Sequence, residues 1–226
     1  MGVHDGHRSR MRNRFLEHGA DTMEDHALLE LLLYYACPRI DTNPLAHRLL
    51  EHFGGLAQVL DAPVEELQKV PGIGESAAAL LKLAPQLARR ADIRRSSTDD
   101  ILNTTEKAGR YLVPYFAAEL DEVVYMLCLD AKCKAIGCRL LFRGSVNSAV
   151  VNVRTAVEYA LRYKATSVIL AHNHTSGLAI PSREDEATTR RLYDALAAVD
   201  VQLVDHIIVA EGDFVSLADS GYFKNL

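Results

Sequence analysis

The apolar residues of this chain change their spacing near residue 119, and that change restricts the fold more than any other feature. From residue 8 to about 90 the sequence reads as helices only. "TMEDHALLELLLYYA" sets Thr22 three residues ahead of Asp25, a capping-box-like start, and follows it with an apolar run long enough for a buried helix. "NPLAHRLLEHFGG" puts Leu45, Leu49, Leu50 and Phe53 on one stripe, and Gly54-Gly55 end it. "APVEELQKV" and "ESAAALLKLAPQLARR" are two further helices joined by "PGIG". After a helix over about 104–118 the spacing becomes two, in "EVVYMLCLD" and "KAIGCRLLFRG", which flank the turn "DAKC". Next come a helix in "VRTAVEYALRYK", a strand in "TSVILA", a helix from about Arg183 to Val199, and strands in "VQLVDHIIVA" and "DFVSLA". Between the two textures, "RRADIRRSSTDDILNTT" carries two arginine pairs and a Ser-Ser-Thr-Asp-Asp cluster, the composition of a linker. The pattern predicts an α+β two-domain chain: an all-α domain over residues 1–92, a linker over 93–103, and an α/β domain over 104–226.

Composition narrows the function classes. With 226 residues, 49% of them hydrophobic and 24% charged, the chain can bury real cores and is neither disordered nor fibrous. "MGVHDGHRSRMRNRF" lacks the apolar run of roughly 7–15 residues found in a secretory signal. No segment approaches the ~20 apolar residues that span a bilayer, so a cytoplasmic protein without membrane partners is expected. Cys37, Cys128, Cys133 and Cys138 do not form CxxC pairs and read as free thiols of a reducing compartment. Arg8, Arg10, Arg12 and Arg14 are four arginines close together, yet residues 1–95 hold 12 Lys+Arg against 13 Asp+Glu. A solvated helix face is the expectation there, a nucleic-acid arm the alternative.

In "LQKVPGIGESAAALL" two glycines flank one apolar residue between helices. The amides of Gly72 and Gly74, with the helix N-terminus after them, can cradle a phosphate, while Ile73 points down into the hairpin. The segment looks like the helix–hairpin–helix motif of DNA-binding proteins. Glu75, at the helix start, suits the helix dipole but repels phosphate, so a weak, non-specific DNA contact and a purely structural hairpin both stay open.

The densest group of metal-ligand residue types lies in "LAHNHTSGLAIPSREDEATTRRL". If the backbone stays extended past "TSVILA", His172 and His174 point one way and Asn173 the other. Two imidazoles then converge, and Asp185, eleven residues beyond His174, is the obvious third ligand of a zinc site that leaves a fourth position for water. Gly177 allows a sharp bend and Pro181 stiffens the approach to the next helix. Ser182 and Asp185 also spell Ser-x-x-Asp, a capping box in which the carboxylate bonds only the backbone. Spacing leaves ligand and cap both open.

The pattern His-x-His, seven residues, Ser, two residues, Asp matches the JAB/MPN (JAMM) metallopeptidase-like domain at each defined position. Together with "LFRGSVNSAVVNVRTAVEYALRYKATSVILAHNHTSG", "PSREDEATTRRL", "LVDHIIV" and the N-terminal "LLEHFGGL" and "VPGIG", it makes the chain resemble the RadC family over about residues 8–217. That resemblance implies a cytidine-deaminase-like α/β JAB/MPN domain with a mixed sheet behind a helix–hairpin–helix domain. It implies one zinc ion held by His172, His174 and Asp185, with Ser182 beside the water. The loop departs from the family's usual form, with Thr175 and "LAI" in place of proline and Gly-Asp/Glu-Pro-type residues, which puts its shape and substrate contacts in doubt.

Amide hydrolysis at such a site also needs a proton carrier, which in JAMM enzymes is a glutamate from an early strand. Glu122 fits best, with Glu119 as runner-up and an exposed strand-edge charge as the alternative; Ser182 can donate to an oxyanion. Asp205-His206 reads first as a packed strand pair and second as support for the site. Asn147 and Arg154 are further cleft candidates, with capping and surface roles ahead of that one. The expected function is a zinc-dependent metallopeptidase or isopeptidase acting on a peptide or protein. The alternatives are a DNA-associated repair or recombination accessory protein and a metal-stabilised protein-binding module.

Overall fold

A computed structural model describes residues 3–96, 101–144, 151–175 and 177–225. The chain forms two compact units, residues 1–88 and 89–226.

The first unit holds α1 (Val3–His18), α2 (Asp25–Leu33), α3 (Asn43–Phe53), α4 (Leu56–Asp61), α5 (Val64–Leu67) and the start of α6 (Glu75–Ser96). Its core is the stripe read from the sequence: Leu45 and Leu49 of α3 pack with Leu29 and Leu33 of α2, Leu67 of α5 and Leu81 of α6. Ile73 is buried in that core, as the hairpin requires, and Gly72 adopts a left-handed φ of 100°. A Cβ on Gly72 would come 3.3 Å from Leu45 Cδ1, so the tight α5–α6 turn by itself accounts for a glycine there. One buried charge ties the unit together: Glu30 of α2 accepts hydrogen bonds from Tyr34 and Asn43 and contacts His7 Nε2 at 3.0 Å.

Two local expectations do not hold. Thr22 ends a short 3-10 turn and bonds the Gly19 carbonyl, and α2 instead starts after Glu24, which makes no side-chain cap. Helix α6 runs on to Ser96, four residues into the expected linker, because "ADIRR" contains no helix breaker and arginine is a good helix former.

In the second unit α7 (Thr105–Phe116) precedes β1 (Glu122–Leu129), β2 (Ala135–Gly144), α8 (Val153–Tyr163), β3 (Ser167–Asn173), α9 (Arg183–Ala197), β4 (Gln202–Ala210) and β5 (Asp213–Ser216). The five strands lie in the order β2-β1-β3-β4-β5; β3 and β4 are parallel and every other pair is antiparallel. Residues alternate between faces. Val123, Tyr125, Leu127, Leu129, Ile169 and Ala171 pack under α7, whereas Val124, Met126, Cys128, Val168 and Leu170 pack under α8 and α9.

The β3–β4 register contains an irregularity. Leu203 pairs with Val168, but the next pair is Asp205 with Ile169, so Val204 is an extra residue in β4. Beyond this bulge the faces are exchanged: His206, opposite Leu170, lies on the α9 side, where strict alternation from Leu203 would have sent it to the other.

A candidate metal centre at the end of the third strand

His172 stands near the C-terminal end of β3 and His174 just beyond it, where α/β sheets commonly build their sites. The backbone does stay extended. Asn173 turns the opposite way, donating to the Asp121 carbonyl and accepting from the Val123 amide, and the His174 amide bonds the Val209 carbonyl. These bonds leave the two imidazoles facing each other, with Nε2 atoms 2.9 Å apart.

Asp185 arrives from α9. Ser182 caps that helix: its Oγ accepts from the Asp185 amide at 3.2 Å, while the Ser182 amide and hydroxyl both donate to Asp185 Oδ2. The capping box and the ligand arrangement therefore coexist, because the helix start aims the carboxylate at the histidines. His172 Nε2 lies 3.1 Å from Asp185 Oδ1, and His174 Nε2 lies 3.3 Å from Oδ2.

This arrangement fits a small cation. Ligand atoms about 2.0–2.1 Å from a tetrahedral ion lie about 3.3 Å from one another, close to the separations observed. Each imidazole also has its other nitrogen engaged. His174 Nδ1 meets the Leu178 carbonyl at 2.9 Å; a carbonyl only accepts, so Nδ1 carries the proton and Nε2 presents a lone pair. Two imidazole lone pairs and a carboxylate that face one another this closely repel unless positive charge lies between them. Among the described residues these three side chains are the one group with metal-ligand atoms clustered in this way.

Without a cation, protons take its place between these groups, and the shifts follow from that. Burial by itself would raise the Asp185 carboxyl, but the bonds to His172, His174 and Ser182 and the charge of His172 hold it far below the usual carboxylate range. The bond to Asp185 raises His174 against the opposing effect of burial, and the nearby Glu122 charge adds to the rise. His206, fully buried, is held well below its ordinary value by desolvation and then by His172.

The two glutamate candidates separate clearly. Glu122 opens β1 on the same face as Val124, and in the β1–β3 register Val124 pairs with His172, which puts Glu122 toward His174. Glu119 belongs elsewhere: its carboxylate, 5% exposed, accepts from Arg143 Nη1 and Nη2 at 2.5 and 3.0 Å and meets Arg89 Nη2 at 2.8 Å. Its carboxylate is thus engaged by two guanidiniums.

Asp205 and His206 also part company. Asp205 accepts from Ser216 Oγ and from the amides of His206 and Ala218, which organises the turn after β5. His206 joins the site, with Nε2 2.8 Å from His172 Nδ1 and Nδ1 2.6 Å from Thr189 Oγ1. Thr189 carries no signal in the sequence, where it is one threonine inside a helix. Arg154 is exposed on α8 and pairs with Glu158, and Asn147 lies outside the described residues. Gly72 and Gly74 belong to the first unit, in the turn between α5 and α6. On α1, Arg8 donates to the carbonyls of Cys37, Pro38 and Ile40 and Arg14 to that of Thr22, so these two arginines hold their own unit together. No helix among the described residues is long and apolar enough to cross a membrane.

Comparison with known proteins agrees with both units. Residues 102–222 match the RadC-like JAB domain family, and residues 6–79 match the family described as UPF0758 N-terminal. UPF0758 proteins of Shewanella baltica strain OS155 and Shewanella oneidensis strain MR-1 are each 37% identical to the chain over 213 residues, covering 94% of it and 95% of the relative. A UPF0758 protein of Shewanella putrefaciens strain CN-32 is 36% identical over the same span. The chain belongs to the RadC-like JAB domain family.

Proposed function

We propose that this protein is a zinc-dependent hydrolase of peptide or isopeptide bonds, acting at His172, His174 and Asp185. One observation carries the reading: two imidazole nitrogens and a carboxylate converge within 3.3 Å, and a carbonyl fixes His174 with its lone pair directed inward. Imidazole and carboxylate donors suit zinc, and three of them leave a position for water. When bound there, zinc supplies Lewis acidity that brings the pKa of water down to about 7.

The remaining chemistry belongs to the chain. Glu122, on the ligand face of the sheet, takes the proton from the attacking water at its carboxylate and returns it to the leaving nitrogen. Ser182 holds Asp185 through Oδ2; to serve a developing oxyanion, its proton must first leave that oxygen. His172, 6% exposed, sits where sheet and helix exclude bulk water from one side of the centre, which strengthens charge interactions there.

The reading is tested by metal analysis and by turnover of an isopeptide-linked reporter. Wild-type protein is expected to hold about one zinc, His172→Ala and Asp185→Ala to lose it, and Glu122→Gln to keep zinc while losing turnover. Full zinc retention by both ligand variants would overturn the proposal, as would undiminished turnover by Glu122→Gln.

A further inference from the structure

The described residues contain a hydrogen-bonded circuit, running one way, behind the metal ligands, and chemistry fixes the proton direction at each of its atoms. Thr189 Oγ1 lies 2.6 Å from the Asp185 carbonyl oxygen, one turn back along α9. A carbonyl only accepts, so the single hydroxyl proton of Thr189 points there. The same Oγ1 lies 2.6 Å from His206 Nδ1. With the hydroxyl proton already committed, the hydrogen in that contact belongs to Nδ1. A neutral His206 protonated at Nδ1 has a bare Nε2, and this atom sits 2.8 Å from His172 Nδ1. His172 Nδ1 therefore carries a proton, and its lone pair resides on Nε2, the atom that faces Asp185 and His174.

We propose that His206 and Thr189 are positioning residues of the metal centre: the one-way relay from His172 through His206 and Thr189 to the Asp185 backbone fixes the His172 tautomer that can bind a cation. The inference rests on the proposed zinc site. Water cannot readily stand in for either member, since His206 is 1% and Thr189 0% exposed. The circuit also joins β3, β4 and α9, so it holds the ring of His172 and the backbone that carries Asp185 in mutual register. His206 reaches this face because of the extra residue Val204. A second imidazole behind a ligand imidazole acts as an acceptor here, in the place that a carboxylate or backbone carbonyl fills in many zinc sites.

The test is the zinc dissociation constant of the full chain, measured by competition with a chromophoric chelator, with thermal unfolding run on the same samples. Thr189→Val keeps the shape but loses the hydroxyl, and is expected to weaken zinc binding about 10-fold or more; Thr189→Ser is expected to bind like wild type. His206→Phe removes the acceptor and is expected to weaken binding by about 10- to 100-fold. His206→Gln, whose side-chain carbonyl can accept from His172, is expected to recover part of that loss. Nitrogen-15 imidazole shifts of the zinc-loaded protein give a readout independent of any variant's folding, and should show His206 protonated at Nδ1 and bare at Nε2. Wild-type affinity in both Thr189→Val and His206→Phe, or a His206 protonated at Nε2, would overturn the relay while leaving the metal site standing. Wild-type protein that binds no zinc would overturn the parent reading instead.

Discussion

Replacing Glu119 with glutamine and, separately, Glu122 with glutamine should give opposite phenotypes, although the two residues are three apart in sequence. The Glu119 carboxylate is buried and held by three contacts, two from Arg143 and one from Arg89. Removing one partner of a buried ion pair typically costs about 3–5 kcal/mol, because the other charge is left uncompensated. Here that range has to be discounted. The Arg143 side chain is 45% exposed and has Asp121 at 3.7 Å, while Arg89 keeps the Tyr115 carbonyl and the Tyr125 hydroxyl. A loss of about 2–3 kcal/mol is therefore expected for Glu119→Gln, which at 2–4 °C per kcal/mol for a chain of this size lowers Tm by roughly 4–12 °C. Turnover per folded molecule should stay close to wild type. Glu122→Gln should leave Tm nearly unchanged and abolish turnover of an isopeptide reporter. Thermal unfolding by circular dichroism, paired with reporter assays corrected for folded fraction, measures both. A Glu119→Gln variant as stable as wild type but inactive would reverse the assignment, since Glu119 would then be the proton carrier.

Three further outcomes are expected from the same structure. Burial pushes the Cys128 thiol up to about 11, so at pH 8 it should stay silent to a thiol reagent in the native protein and react only on unfolding; native-state labelling and peptide mapping check this. Gly109 of α7 lies against the Phe214 ring of β5, and a methyl group there would overlap it. Gly109→Ala should therefore destabilise the second unit by about 1–3 kcal/mol, read by denaturant titration, despite alanine's better helix propensity. In metal-stripped protein, His174 has its pKa raised and Asp185 has its lowered. The raised histidine contributes stability in full below its ordinary value of about 6.5, lost as pH rises through its folded value. The depressed carboxylate contributes above its ordinary value of about 3.9, lost as pH falls through its folded value. Their joint contribution should be greatest between about pH 4 and 6.5, and Asp185→Asn should flatten the fall in stability above about pH 6.5, measured by urea titration on both sides of that pH.

Much of this organisation is legible in the sequence because it is encoded locally. Period-two alternation places His172 and His174 together and turns Asn173 away, and the Ser182–Asp185 spacing specifies the helix start, which in the fold also aims the carboxylate at the histidines. What is not legible depends on tertiary events. Glu119 and Glu122 look alike until Arg89 and Arg143, 30 and 24 residues away in sequence, close on the former. His206 is hidden by Val204: read with strict alternation from Leu203, it falls on the α7 face, and only the bulge turns it to His172. Thr189 is invisible for another reason, since its hydroxyl gains meaning only when β4 brings an imidazole to it.

Whether His172, His174 and Asp185 hold a zinc ion is decided by anomalous diffraction at the zinc edge from crystals of the full chain grown with zinc. A single strong peak about 2.0–2.2 Å from His172 Nε2, His174 Nε2 and an Asp185 carboxylate oxygen is predicted. A structure with zinc supplied and no peak among these three side chains would overturn the metal centre and the hydrolytic function built on it.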